Sequence, residues 1–173
     1  MVTYYSRKIN SFLQILDFIP QVKDGSGYIR PPSEFKELCF DTKDEASSVF
    51  CLFNSSLYRW FIDAVTDGSH LNRREINYFL FNPKQFSALQ PVINILAAEL
   101  HDSLIANSQI RVMKYPHDTL TVQCIIPKYS KPIIDRIDSL LAEHYGFTQE
   151  ELDFIINYDS KYRMGKELES GEE

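Results

Sequence analysis

The chain has 173 residues, 44% of them hydrophobic and 24% charged, with a net charge of −6. That composition fits one globular domain, with or without a small appendage, and excludes a disordered tail or a coiled-coil rod. There is no membrane-length run of about eighteen apolar residues, and no segment after Met1 has the order of a secretory signal, so neither a membrane nor export is expected.

In chain order, the nearly continuous apolar run Phe12 to Ile19 predicts a buried strand. Gly25-Ser26-Gly27 marks a turn and Pro31-Pro32 an extended connection. Thr42-Lys43-Asp44-Glu45 has capping-box spacing and opens a helix. Its core stripe is Val49, Phe53, Leu57, Trp60 and Ala64, and Gly68 is placed as a left-handed cap at its end. Asn72 to Glu75 is a second capping box starting a short helix, followed by the Phe-rich segment Tyr78 to Phe81. A long helix is expected from Gln85 to Asn107, with Leu89, Ile93, Leu96, Leu100 and Leu104 on one face. Ile110–Lys114 and Thr119–Ile126, joined by Tyr115-Pro116-His117-Asp118, read as a hairpin. Ser130 caps a helix carrying Ile133, Ile137, Leu140 and Leu141 that ends near Gly146. Thr148 to Glu151 is a third capping box, with Leu152, Ile155 and Ile156 behind it, and Lys166–Glu173 is a frayed polar tail. The fold class is therefore α+β: a small mixed or antiparallel sheet with packed helices, and a helix-rich C-terminal half. Three regions are expected, at 1–85, 86–134 and 135–173.

Charge is unevenly distributed. Residues 135–173 hold eleven acids against four bases, so the whole-chain deficit lies at one end and residues 1–134 carry a balance of +1. The overall acidity argues against a nucleic-acid partner; its distribution leaves room for a local basic face. Cys39, Cys51 and Cys124 are odd in number and form no Cys-x-x-Cys pair, as expected of buried thiols in a reducing, cytoplasmic setting.

Catalytic signatures are sparse. No glycine-rich phosphate loop or Gly-x-Ser-x-Gly elbow occurs, and His70, His101, His117 and His144 are too scattered for a metal site. Asn82-Pro83-Lys84 lacks the second proline and the aromatic of the Asn-Pro-Pro-Tyr motif with which amino methyltransferases hold a flipped base. The acid-x-Lys triplets Glu34-Phe35-Lys36, Asp41-Thr42-Lys43 and Asp159-Ser160-Lys161 have the form used by Mg²⁺-dependent nucleases, but none falls in a convincing strand. The chain alone is expected to catalyse nothing.

Three stretches together are more telling: Leu52-Phe53-Asn54-Ser55-Ser56-Leu57-Tyr58-Arg59-Trp60-Phe61, then Asp67-Gly68-Ser69-His70-Leu71-Asn72-Arg73-Arg74-Glu75-Ile76, and finally His144-Tyr145-Gly146-Phe147-Thr148 through Glu151-Leu152-Asp153-Phe154-Ile155-Ile156-Asn157-Tyr158-Asp159 to Lys161-Tyr162-Arg163-Met164-Gly165. They resemble the C-terminal end of bacterial adenine-specific DNA methyltransferases of type II restriction–modification systems, including the fused restriction enzymes, where a TaqI-like target-recognition domain follows the catalytic domain. The likeness covers residues 45–165 well and 1–44 more loosely. The closing motif is the most specific part; the helix-and-loop pattern is shared in looser form by type I specificity subunits. The family often has Arg where this chain has Ser69, and an apolar residue where it has Ser160.

The resemblance implies a recognition module for double-stranded DNA, partnered by the catalytic methyltransferase or nuclease domains of a parent enzyme. S-adenosylmethionine, and Mg²⁺ if a nuclease is fused, would be held there and no cofactor in this chain. The implied DNA contacts are Ser69, His70, Asn72, Arg73 and Arg74, with a phosphate at the helix start beside Asn72. Lys114, Lys128 and Lys131, with Arg111, add a balance of +3 over residues 107–134 on and beside the hairpin. Lys161 and Arg163 either join these contacts or pair with Asp153, Asp159 or Glu151. Tyr28 and Tyr115 are candidates for base stacking. The alternative is a protein-docking role for the acidic residues 135–173 within the same assembly.

Overall fold

A computed structural model describes residues 1–79 and 82–158. The Asp159-Ser160-Lys161 triplet, the end of the closing motif with Lys161 and Arg163, and the Lys166–Glu173 tail lie outside the described residues, as do Leu80 and Phe81. The fold is α+β, with six α-helices and two antiparallel sheets among the described residues. No described helix is long and apolar enough to cross a membrane.

Helix α1 (Lys43–Asn54) is central: every residue from Ser48 to Asn54 is buried. Its start is fixed by the expected capping box, Thr42 Oγ1 accepting from the Glu45 N–H at 3.2 Å and Glu45 Oε2 from the Thr42 N–H at 3.3 Å. A three-stranded sheet of β1 (Val2–Ser6), β2 (Ile15–Leu16) and β5 (Phe35–Cys39), in the order β2-β1-β5, packs against it. The strand expected over Phe12 to Ile19 is thus reduced to two residues. Ile15 instead bonds to Asn54: its N–H donates to Oδ1 at 3.4 Å and its carbonyl accepts from Nδ2 at 2.8 Å.

The single helix predicted from Thr42 to Ala64 is two helices. It breaks at Ser55 (φ −66°, ψ 156°), which starts α2 (Ser56–Val65) by accepting from the Tyr58 N–H at 3.1 Å. Asn54, Ser55 and Ser56 all bond backbone readily, so they end one helix and begin the next. The break rephases the apolar stripe: Phe53 and Leu57 are buried, whereas Trp60 is only partly buried and Ala64 is exposed. Gly68 has the expected positive φ of 68°, but within a loop, because α2 closes at Thr66.

Helix α3 (Arg73–Tyr78) is short, and a 3₁₀ turn over Pro83–Leu89 leads to α4 (Gln90–Ala106). The long helix expected from Gln85 begins five residues later because Pro91 has no N–H and is tolerated only in a first turn. Ile93, Leu96, Leu100 and Leu104 face the core as expected. Helix α5 (Lys131–Tyr145) packs on α1, α2 and α4, and closes on Gly146 at φ 71°. Ser130 is not a side-chain cap; its hydroxyl bonds Ser103 Oγ at 2.8 Å. Helix α6 (Gln149–Asn157) opens on the expected Thr148/Glu151 box. The three regions share one core, running from Tyr5 to Ile155, so residues 135–158 are not a detachable tail.

The hairpin is β6 (Gln109–Tyr115) and β7 (Asp118–Cys124), joined through Pro116-His117. With β3 (Val22–Lys23) and β4 (Ile29–Arg30) it makes a second sheet, ordered β4-β3-β7-β6. Cys51 is buried, Cys124 partly so and Cys39 exposed, so the expectation of three buried thiols fails at Cys39, on the edge strand β5.

Candidate nucleic-acid interface

The loop from Asp67 to Asn72 is built from local hydrogen bonds. Asp67 Oδ1 accepts from the Ser69 N–H at 3.0 Å and its hydroxyl at 2.7 Å, which holds the Asp67 carboxyl below its ordinary range. Asn72 Nδ2 donates to the His70 carbonyl at 3.3 Å. The loop is anchored at the far end of β1: the Leu71 N–H donates to the Arg7 carbonyl at 2.9 Å, Lys8 and His70 form an isolated antiparallel bridge, and Leu71 is fully buried.

That anchoring puts Arg7 and Lys8 beside the loop that carries His70, Arg73 and Arg74. All five side chains are exposed. The two bases at the end of β1 are far from the loop in the chain, and no local pattern in the sequence signals the meeting; a bridge pairing Lys8 with His70 is visible only in three dimensions. Arg73 has no side-chain partner among the described residues, and it lines a groove of about 330 Å³ with Phe40, Phe53, Ile76 and Phe79.

Arg74 is engaged already. Its guanidinium pairs with Glu75 at 2.9 Å and lies 5.9 Å from the Tyr78 ring. Glu75 also accepts the Asn72 N–H at 2.9 Å. Burial works against ionisation of Glu75, but hydrogen bonds from its own backbone, from Arg74 and from Asn72 outweigh it and hold the carboxyl below its usual range. A carboxylate therefore sits where the resemblance placed a phosphate, and α3 is a helix of only six residues. Glu75 thus already occupies part of the α3 start, and the nearby exposed bases without side-chain partners among the described residues are Arg7, Lys8 and Arg73.

The second expected cluster divides. Lys114 projects from exposed β6 and has no side-chain partner among the described residues, and Arg111 donates to Gln109 Oε1 at 3.1 Å. Lys128 lies 4.9 Å from the Tyr129 ring. Lys131 is 9% exposed and ion-paired with Asp135, so its charge is already engaged at the α5 start. Tyr28 and Tyr115 are both exposed, at opposite margins of the second sheet. Among the described residues no three His, Cys, Asp or Glu converge as metal ligands. Glu34 and Lys36 are solvent-exposed at β5, and Asp41 precedes the α1 cap.

An apolar trough of about 450 Å³ lies between α2 and α6, lined by Leu57, Trp60, Phe147, Phe154 and Ile155 with Glu150 and Glu151 on its rim. The helix break at Ser55 turned Trp60 toward it. Comparison with protein families, curated proteins and solved structures finds no match to this chain.

Proposed function

We propose that the chain is the DNA-recognition domain of an adenine-specific DNA methyltransferase of a type II restriction–modification system, and that it performs no chemistry itself. Methyl transfer from S-adenosylmethionine, and the holding of the flipped adenine, belong in this reading to a separate catalytic domain. The observation that supports the proposal is the pinning of the Asp67–Asn72 loop against the end of β1, which brings the Arg7–Lys8 backbone to His70 and Leu71, just ahead of Arg73, and these three bases have no side-chain partners among the described residues. Bases free of ion pairs are available to phosphates, and phosphate contacts set register on a duplex while loop side chains read base edges. The three motif stretches quoted above support the family reading, and the exposed, unpaired bases around the loop support a binding surface there.

The test is duplex binding by fluorescence anisotropy as salt is raised. Arg7→Ala, Lys8→Ala and Arg73→Ala combined should flatten the log–log salt slope by about 0.9 for each phosphate no longer neutralised, and weaken all sequences similarly. Adding Arg74→Ala should cost less than Arg73→Ala does, because Glu75 already holds it. Unchanged affinity in the triple variant removes this surface from the site.

A second reading draws on the trough. Its aromatic lining and acidic rim suit an apolar, basic-flanked segment of the catalytic domain, so that one surface of the chain meets DNA and another the enzyme. Phe154→Ser together with Trp60→Ala should abolish co-purification with that domain and leave DNA binding intact.

A further inference from the structure

Among the described residues nothing packs over the outer strand of the second sheet. β6 is exposed along its whole length and β7 is nowhere buried, and the four strands make their contacts chiefly with one another. Ile29, Ile110 and Val112 are each more than half exposed. Sheets of so few short strands need a packed face for stability, so a partner surface is missing.

The register divides the two faces. Lys23 pairs with Ile29 on one side and Thr121 on the other, Thr121 with Val112, Thr119 with Lys114, and Gln123 with Ile110. Residues in register share a face, and alternate residues along a strand return to it. One face therefore carries Lys23, Lys114, Thr119, Thr121 and Gln123 among Ile29, Ile110 and Val112, with no acid. The opposite face carries Asp24 and Asp118, both paired with Arg30, at 3.1 Å and 2.7 Å. Hydrogen bonds from Ser26 first, and then from Tyr28 and Arg30, outweigh desolvation and bring Asp24 to about 2, so both acids stay ionised on this face and balance Arg30 and Arg111.

On the acid-free face the two lysines flank the central strand diagonally. Each is one strand spacing from β7 and they are two residues apart along it, which separates their Cβ atoms by about 12 Å. The major groove is about 12 Å wide and admits a two-stranded β-ribbon. We infer that this face enters the major groove of duplex DNA, with Lys23 and Lys114 on the phosphates of opposite walls and Thr119 and Thr121 toward the base edges. The inference rests on the DNA-recognition reading and assigns the sequence-reading element within it. Threonine suits that position, since its hydroxyl bonds base edges and its methyl meets the thymine methyl. A second copy pairing along the open β6 edge is disfavoured, because β6 carries Arg111 and Lys114 and no acid to meet them.

The experiment uses the full 173-residue chain and a pool of random-sequence duplexes. Lys23→Ala with Lys114→Ala should lower the salt slope by about 2 and weaken binding roughly ten- to thirtyfold at about 0.15 M salt. Arg111→Ala, on the opposite face, should leave both within twofold. Thr119→Val with Thr121→Val should preserve pool affinity and change which sequences are enriched. If the chain binds duplexes but the lysine pair has no effect, or Arg111→Ala has the larger one, the assignment is overturned while the DNA reading stands. Sedimentation showing a dimer dispersed by Val112→Lys would overturn it in favour of a protein interface. If the unaltered chain binds no duplex even at low salt, the DNA reading fails with it.

Discussion

Asp138 on α5 is 2% exposed, and its Oδ1 accepts the N–H groups of Ser56 at 2.8 Å and Leu57 at 3.4 Å, so a carboxylate of one helix caps the start of another. Its Oδ2 has no hydrogen-bond partner. Burial raises its pKa from 3.8 to about 6, against the pull of the Ser56 and Leu57 donors and the charge of Lys131. A displacement of two units corresponds to about 3 kcal/mol at 1.36 kcal/mol per unit. Because the folded value lies above the unfolded one, this stability is fully present below about pH 4 and is lost as the pH rises through 6. Asp138→Asn keeps the shape and the Oδ1 acceptor but carries no charge. Measured by urea denaturation from pH 4 to pH 7.5, the variant should gain about 3 kcal/mol on the wild type across that range, since all other titrations are common to both and cancel. Asp138→Ala, which leaves two buried N–H groups unpaired, should be destabilised by about 2–4 kcal/mol near pH 4 and, having no carboxyl to titrate, should close on the wild type by the same about 3 kcal/mol toward pH 7.5. Parallel stability profiles for wild type and Asp138→Asn would refute the assignment of a charged, penalised carboxylate.

Asn54→Ala strands the Ile15 backbone groups and should cost about 2–4 kcal/mol, read as a lower urea midpoint with an unchanged m-value. Gly146→Ala meets nothing within 4 Å, so its cost comes only from the φ of 71°; about 1 kcal/mol is expected by thermal denaturation. Glu75→Gln removes a carboxylate held below its usual range, whose stabilisation is present at neutral pH and lost on acidification. The variant should therefore be less stable at pH 7 and converge with the wild type in acid.

What was legible in the sequence was local. The Thr42/Glu45 and Thr148/Glu151 boxes and the Gly146 cap depend on residues three or four apart, and all three form as expected. The break at Ser55 was not legible, because it is held by Ile15 from one side and Asp138 from the other, both distant in the chain. Alternation along Leu120, Val122 and Cys124 announced a strand, but a period of two cannot say how far each face is covered, and every residue of β7 is only half-buried. The candidate site divides in the same way. Arg73 and Arg74 look equivalent as a dipeptide; only the buried Glu75 distinguishes them. Lys131 counted toward a basic cluster until Asp135, one helical turn on, claimed it.

The net charge of −6 is compatible with the proposed DNA surface because of what each charge is doing. Glu45, Glu75 and Glu151 accept backbone N–H groups at the starts of α1, α3 and α6, Asp138 does so across helices for α2, and Asp24 and Asp118 share Arg30 at one sheet face. These acids are fixed by the fold at positions the fold requires. Arg7, Lys8, Lys23, Arg73 and Lys114 have no side-chain partners among the described residues and project into solvent from strand ends, strand faces and one loop. A field is set by where charges lie, and exposed separations beyond about 10 Å are largely screened. A phosphate approaching these unpaired bases is therefore governed by them more than by acids already engaged in capping and pairing. Neutralising Glu150 and Asp153 should consequently raise DNA affinity less than removing Lys23 lowers it, a comparison that whole-chain charge alone would predict to be even.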